Sequence, residues 1–293
     1  MPELPEVETI RRQLEPEVVG RRIEGVRIPD PRWSRMSGTD EIERACVGRR
    51  IRSVERRGKY LLVNLEDGWT LIMHLRMTGN LSMVSAGSEP QYLRAAFLLD
   101  GGDELAFTDA RRFGHGEVVR TDAIDERFGG ILGVEPLSEE FTAERLCELA
   151  LGRKAPLKSF LLGQAGIAGI GNIYADEALF RAGLHPLSPA GAMRDEHCAA
   201  LRDAIVDALE AGLANQGASM RDYRNLRGEH GSMQDEFLVH RREGMPCPRC
   251  GETVKRVVVA GRSTYFCPRC QVRLRGPRRS VARRPRAPAG GAT

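Results

Sequence analysis

Residues 51–84, IRSVERRGKYLLVNLEDGWTLIMHLRMTGNLSMV, decide the fold class. Short runs rich in Val, Leu and Ile are cut by the turn signals EDG and MTGN, a rhythm of strands rather than of helices. The texture continues outward, back to RRIEGVRI at 21–28 and on to AAFLLDGGDELAFTDARRFGHGEVV at 95–119, where DGG marks another turn. Together these stretches predict a sheet-rich domain folded as a β-sandwich.

Helical periods flank this block on both sides. PEVETIRRQLEPEVVG at 5–20 sets Val7, Ile10, Leu14 and Val18 three and four residues apart, with proline in the first turn and Gly20 at the stop. From about Pro136 the texture turns helical again, in SEEFTAERLCELALG at 138–152 and MRDEHCAALRDAIVDALEAGLANQG at 193–217. The first of these is expected to start at a Ser138 cap, with Phe141 and Leu146 inside the helix. Between them LLGQAGIAGIGNIYADEALFRAGLHP, 161–186, reads as a Gly-rich loop feeding a helix N-terminus. Residues 221–236 have no period and predict a long mobile loop, and the Pro, Gly, Ala and Arg after Gln271 predict a disordered tail.

A length of 293 residues suits two domains and a small third module. With 41% hydrophobic and 29% charged residues and a mean hydropathy of −0.35, the composition is that of a globular, water-soluble chain. It offers nothing like the roughly 20 uninterrupted apolar residues of a membrane span. The opening MPELPEVETIRR has no signal-peptide stretch, so the cytoplasm, taken as bacterial, is the expected compartment. The net charge of +4 is uneven: residues 271–293 hold seven Arg and no acid, leaving 37 basic against 40 acidic residues elsewhere. A polyanion would therefore have to be met by a focused basic face. Only four of the 44 basic residues are lysines, namely Lys59, Lys154, Lys158 and Lys255, so each lysine stands where arginine is the habit.

Four of the seven cysteines form Cys-Pro-Arg-Cys pairs, Cys247 with Cys250 and Cys267 with Cys270. Two such turns can set four thiolates at the corners of a tetrahedron, which suits one structural zinc with no open position for catalysis. Disulfide pairing of these four is disfavoured in a cytosolic chain whose Cys46, Cys147 and Cys198 read as free thiols. ETVKRVVVAGRSTYF between the pairs reads as two strands, hence a zinc ribbon. Arg249, Lys255, Arg256, Arg262 and Arg269 give it the cations that phosphate contact requires.

Removal of Met1 would leave Pro2 with a free secondary amine, a group whose reference pKa lies near 8 and which can form an iminium at a sugar C1′. Glu3 and Glu6 follow on a helix start, where a buried carboxylate can serve as an acid. Taken alone, PELPEVE is better explained as a helix start with acids complementing the dipole.

In order along the chain, MPELPEVETIRR, RRGKYLL, HLRMTG, TDARRFG, GIGNIYADEALF and GRSTYFCPRCQ resemble the formamidopyrimidine-DNA glycosylase family over essentially residues 1–272. The resemblance implies an α+β fold: an N-terminal β-sandwich domain with its helix (1–135), a helix-two-turn-helix domain (136–236) with a lesion loop at about 217–236, and a zinc ribbon (237–272). A disordered basic tail (273–293) would follow. It implies a bifunctional glycosylase and AP lyase that removes oxidised purines from damaged double-stranded DNA, as a monomer, with one structural zinc and no nucleotide cofactor. In that reading Pro2 is the nucleophile and Glu3 the general acid and base, with Glu6 assisting. Lys59 donates a proton during β-elimination, and Arg262 clamps phosphate and helps the δ step. Met77, Arg111 and Phe113 would fill the gap left by the extruded nucleotide, Arg111 facing the orphaned base. Asn172, Lys154 and His74 would contact the DNA backbone. Two segments depart from the family pattern: QYLRAAF puts Tyr92 and Arg94 where histidines are usual, and RGEHGSMQDEF puts Ser232 and Met233 where aromatics are usual. The alternatives are a pyrimidine-directed glycosylase of the endonuclease VIII type and a non-catalytic damage or AP-site binder.

Overall fold

The structure is a computed structural model that describes residues 1–275. Helix α1 (Leu4–Val18) leads into β1 (Ile23–Arg27), α2 (Thr39–Cys46), β2 (Ile51–Arg57), β3 (Tyr60–Leu65) and β4 (Trp69–His74). Next come β5 (Gly79–Ser85), β6 (Leu93–Leu99), β7 (Asp103–Asp109), β8 (His115–Arg120) and the short α3 (Ile124–Phe128). A helical unit follows, with α4 (Ala143–Ala150), α5 (Leu157–Leu162), α6 (Asn172–Arg181) and α7 (Asp195–Ala214). The hairpin of β9 (Lys255–Val259) and β10 (Arg262–Phe266) closes the described chain.

The strands form two antiparallel four-stranded sheets, ordered β1-β6-β7-β5 and β2-β3-β4-β8. Their inner faces bury Val54, Leu61, Val63, Phe97 and Phe107, and α1 lays Val7, Ile10, Leu14 and Val18 on the same core. Each of these aliphatic side chains contributes about 1.5–3 kcal/mol of burial. Leu4, one turn earlier, belongs instead to the helical core with Leu157, Tyr174 and Leu209. α1 therefore crosses the boundary between the two units, and its start, Pro2 and Glu3, lies where they meet. Among the described residues no helix is long and apolar enough to cross a membrane.

Four expectations need correction. Helix α4 starts at Thr142, whose hydroxyl accepts from Arg145 N at 3.1 Å, and not at Ser138. Ser138 turns its hydroxyl back to Glu135 O, and Phe141 is buried ahead of the helix. Cys147 and Cys198 are not free thiols: packing of α4 on α7 brings their Cα atoms to 5.6 Å, and they form a disulfide. The 221–236 segment has little regular structure but is tied down, because Tyr223 and Leu226 join the sandwich core and Leu226 N donates to Gln13 Oε1 at 3.0 Å. The expected tail begins ordered, since Val272 N donates to Gly183 O and Leu274 N to Ser188 Oγ at 2.9 Å. The rest of that tail, 276–293, lies outside the described residues.

Candidate active site

At the junction of the sandwich, the helical unit and the ribbon lies a cavity of about 410 Å³. Glu3, Lys59, His74, Met77, Asn172 and Arg262 line it, so six of the residues singled out in the sequence converge on one space. A smaller recess of about 190 Å³ adjoins it, lined by Pro2, Met77, Arg111 and Arg241. Met1, joined to the Pro2 nitrogen by the first peptide bond, lines both spaces.

Glu3 is 3% exposed and reaches across to the first turn of α6, where Oε1 accepts from Ile173 N at 3.0 Å and Oε2 from Tyr174 N at 3.4 Å. These amides have no partner inside the helix, and the dipole adds to the attraction for a carboxylate. Glu6 is differently employed. Its Oε2 accepts from Glu3 N at 2.7 Å, while Oε1 accepts from Ala218 N and the Tyr174 hydroxyl, both at 2.8 Å. Burial, and then the charge of Glu3, push its carboxyl above the ordinary carboxylate range. It does not line the cavity; it ties α1 to α6 and to the chain after α7.

Lys59 is buried beside the turn between β2 and β3 and donates from Nζ to Ile170 O at 3.0 Å. Burial lowers its amine below the usual lysine range, Glu3 opposes the shift and Arg262 adds to it. His74 accepts from Arg76 N at its Nδ1 and stacks on His115 at 5.7 Å. Burial and the nearby Arg76 hold it well below the ordinary histidine value, so it enters the site as a neutral ring. Arg262 opens β10, and the ribbon is held to α6 beside it by Asn172 Nδ2 donating to Ser263 O at 3.0 Å.

Met77 and Phe113 are not strand core: they are 36% and 47% exposed, and the Arg111 guanidinium lies 4.9 Å from the Phe113 ring centre. Lys154 is exposed before α5 and does not line the cavity. Tyr92 is exposed with φ of 65°, whereas Arg94 turns inward, donating to Asp109 O at 2.8 Å. Met233 is fully buried in the helical core, so it cannot face a bound base from there, while Ser232 is exposed and bonds Asn215.

A buried cluster escaped the sequence reading. Lys158 donates to Asn172 O at 2.6 Å and to Asp176 Oδ1 at 2.7 Å, and Asp176 Oδ2 meets His240 Nδ1 at 2.8 Å. Next to it, the Glu177 carboxylate accepts the backbone N–H groups of Leu238, Val239 and His240 at 2.9–3.0 Å. Two adjacent acids of α6 thus hold the segment that leads into the ribbon, and place His240 and Arg241 on the cavity wall. The scarcity of lysine was the available signal for Lys158.

In the ribbon the Sγ atoms of Cys247, Cys250, Cys267 and Cys270 lie within 4.8 Å of one another, with Cys247–Cys270 at 3.8 Å and Cys250–Cys267 at 3.6 Å. A tetrahedron with Zn–S bonds of about 2.3 Å has edges of about 3.8 Å, so this donor set fits zinc.

Three family descriptions match the chain in order. They are the formamidopyrimidine-DNA glycosylase N-terminal domain over residues 1–116, the formamidopyrimidine-DNA glycosylase H2TH domain over 132–224, and a zinc finger found in FPG and IleRS over 244–272. The formamidopyrimidine-DNA glycosylases of Roseiflexus sp. and Chloroflexus aurantiacus are 46% and 44% identical, over 92% and 94% of this chain and 100% of their own lengths. Among solved structures, a complex of the Lactococcus lactis Fpg with DNA containing an abasic site has a TM-score of 0.86 at 34% identity, covering 92% of this chain and 99% of that one. A complex of a variant of the same protein with Fapy-dG-containing DNA has a TM-score of 0.87 at 34% identity and equal coverage.

Proposed function

The chain belongs to the formamidopyrimidine-DNA glycosylase family, and from that premise we infer how its own residues carry out the reaction. It is a base-excision-repair DNA glycosylase for oxidised purines, with the AP lyase activity of its family and one structural zinc in the ribbon. When bound, the zinc closes a four-thiolate shell and fixes the hairpin that carries Arg262.

With Met1 removed, the Pro2 secondary amine opens onto the two spaces that Met1 faces. Its nitrogen attacks C1′ of the extruded nucleotide as the bond from C1′ to the base breaks, the amine gives up its proton, and the C1′–O4′ bond then opens, with O4′ taking a proton, so that an iminium joins protein and sugar. Glu3 supplies and removes protons at the sugar, and Lys59 protonates during the β-elimination that follows. Arg262 and Asn172, from the ribbon and the α6 start, hold the phosphates of the kinked strand, and Arg262 assists the δ step. Met77, Arg111 and Phe113 occupy the vacated stack. The smaller recess beside Pro2 takes the displaced base. The protein works as a monomer on damaged duplex DNA in the bacterial cytoplasm, without a nucleotide cofactor.

The observation that carries this reading is the placement of Glu3. A buried carboxylate one residue from the N-terminal proline is anchored on α6, in the cavity that also holds Lys59 and Arg262. Borohydride trapping on an AP-site duplex, followed by mass mapping, tests it. An adduct on the Pro2 amine is expected; DNA binding without any adduct would return the protein to the non-catalytic alternative.

A further inference from the structure

We propose that Asp109 is a positioning residue that assembles Met77, Arg111 and Phe113 into one preformed wedge before DNA arrives. The proposal rests on the role assigned to those three side chains above.

Asp109 ends β7 and is 1% exposed. Its Oδ1 accepts from Arg111 N at 3.0 Å and from the Thr78 hydroxyl, and its Oδ2 accepts from Phe113 N at 2.8 Å and Gly114 N at 2.7 Å. Four donors thus occupy the two oxygens of an ionised carboxylate, which only accepts. All four come from turns, and Thr78 directly follows Met77. The main chain of Asp109 adds a third turn, through its N–H to Tyr92 O at 3.0 Å.

Each of these turns contains a non-glycine residue in the left-handed region: Arg76 at φ 54°, Tyr92 at 65° and Arg112 at 61°. Such conformations persist where surrounding bonds over-determine them, and they gather at functional sites. The exposed side chains of Met77 and Phe113 have little packing to hold them, so their positions are set by the turns. One buried carboxylate fixes the turn of Arg111 and Phe113 and, through Thr78, locks it to the turn of Met77. The backbone around Gly114 can approach the carboxylate because no side chain intervenes: a Cβ there would lie 3.1 Å from Asp109 Oδ2 and 2.6 Å from the Phe107 ring.

The test compares Asp109→Asn with the parent on two substrates, an AP site in a duplex and the same AP site within an unpaired bubble, where no gap has to be filled. The amide would turn N–H groups toward N–H donors. On the duplex kcat/KM is expected to fall on the order of 100-fold, the scale of a misplaced positioning group. On the bubble it should match the parent, and discrimination between bases opposite the site should be lost. Equal losses on both substrates would overturn the proposal, since Asp109 would then act only on general folding. A variant carrying Met77→Ala, Arg111→Ala and Phe113→Ala separates the two readings: if it keeps full duplex activity, the wedge assignment itself fails. Should Asp109→Asn not fold by circular dichroism, Thr78→Val, which cuts only the link between the two turns, decides by the same comparison.

Discussion

The Glu3 carboxylate occupies the place where a side chain at residue 171 would begin: a Cβ built on Gly171 falls 2.2 Å from Glu3 Cδ. The absence of a side chain there lets the carboxylate reach the α6 amides. Gly171→Ala is therefore expected to displace Glu3 and to lower base excision by roughly 100-fold, while DNA affinity changes little. Single-turnover excision beside a binding isotherm measures both, and parental excision by the alanine variant would contradict the assignment of Glu3.

Lys59 gives a pH signature. Its amine is lowered below the ordinary 10.5 by burial, so a proton-donating role is lost as pH rises through that lowered value. The kcat/KM profile for AP-site cleavage, which reports the free enzyme, should fall on its alkaline limb below pH 10.5. Lys59→Arg keeps its charge throughout, so it should cleave poorly yet show no such limb. A parental limb at or above the ordinary lysine value would remove Lys59 from the proton transfer.

The ribbon carries Arg262 and touches α6 through Ser263 O. Cys267→Ser, or chelation of the zinc, should weaken DNA binding by about tenfold or more, in keeping with loss of a charged phosphate contact worth about 1.5–3 kcal/mol. The melting of the sandwich should stay as it was. Unchanged affinity would show that the ribbon does not deliver Arg262 to the DNA.

The bond between Cys147 and Cys198 closes a loop of 51 residues. Chain entropy for such a loop amounts to about 4 kcal/mol, so Cys198→Ser is expected to lower the Tm of the helical unit by roughly 10 °C. A melting curve identical to the parent under oxidising conditions would mean that the bond does not form in solution.

Strand rhythm in 51–84 and the Cys-Pro-Arg-Cys spacing were legible because sheet faces and metal shells repeat at short range. Thr142 rather than Ser138 starts α4, since local sequence offers two good caps and packing of Phe141 selects one. The burial of Met233 was not legible, because a segment without periodicity gives no sign of which side is buried. The Lys158–Asp176–His240 cluster joins residues 18 and 64 positions apart, and no spacing rule reaches that far. The residues that converge on the cavity were legible as parts of ordered motifs, whereas the anchoring of Glu3 on α6 emerges only from the fold.

The grip of Asp176 and Glu177 on residues 238–240 has a mechanical consequence. Three main-chain bonds and a carboxylate–imidazole contact fasten the segment that enters the ribbon to α6. Freedom at that joint is spent during folding, so little of it is left to be lost when the ribbon meets a partner.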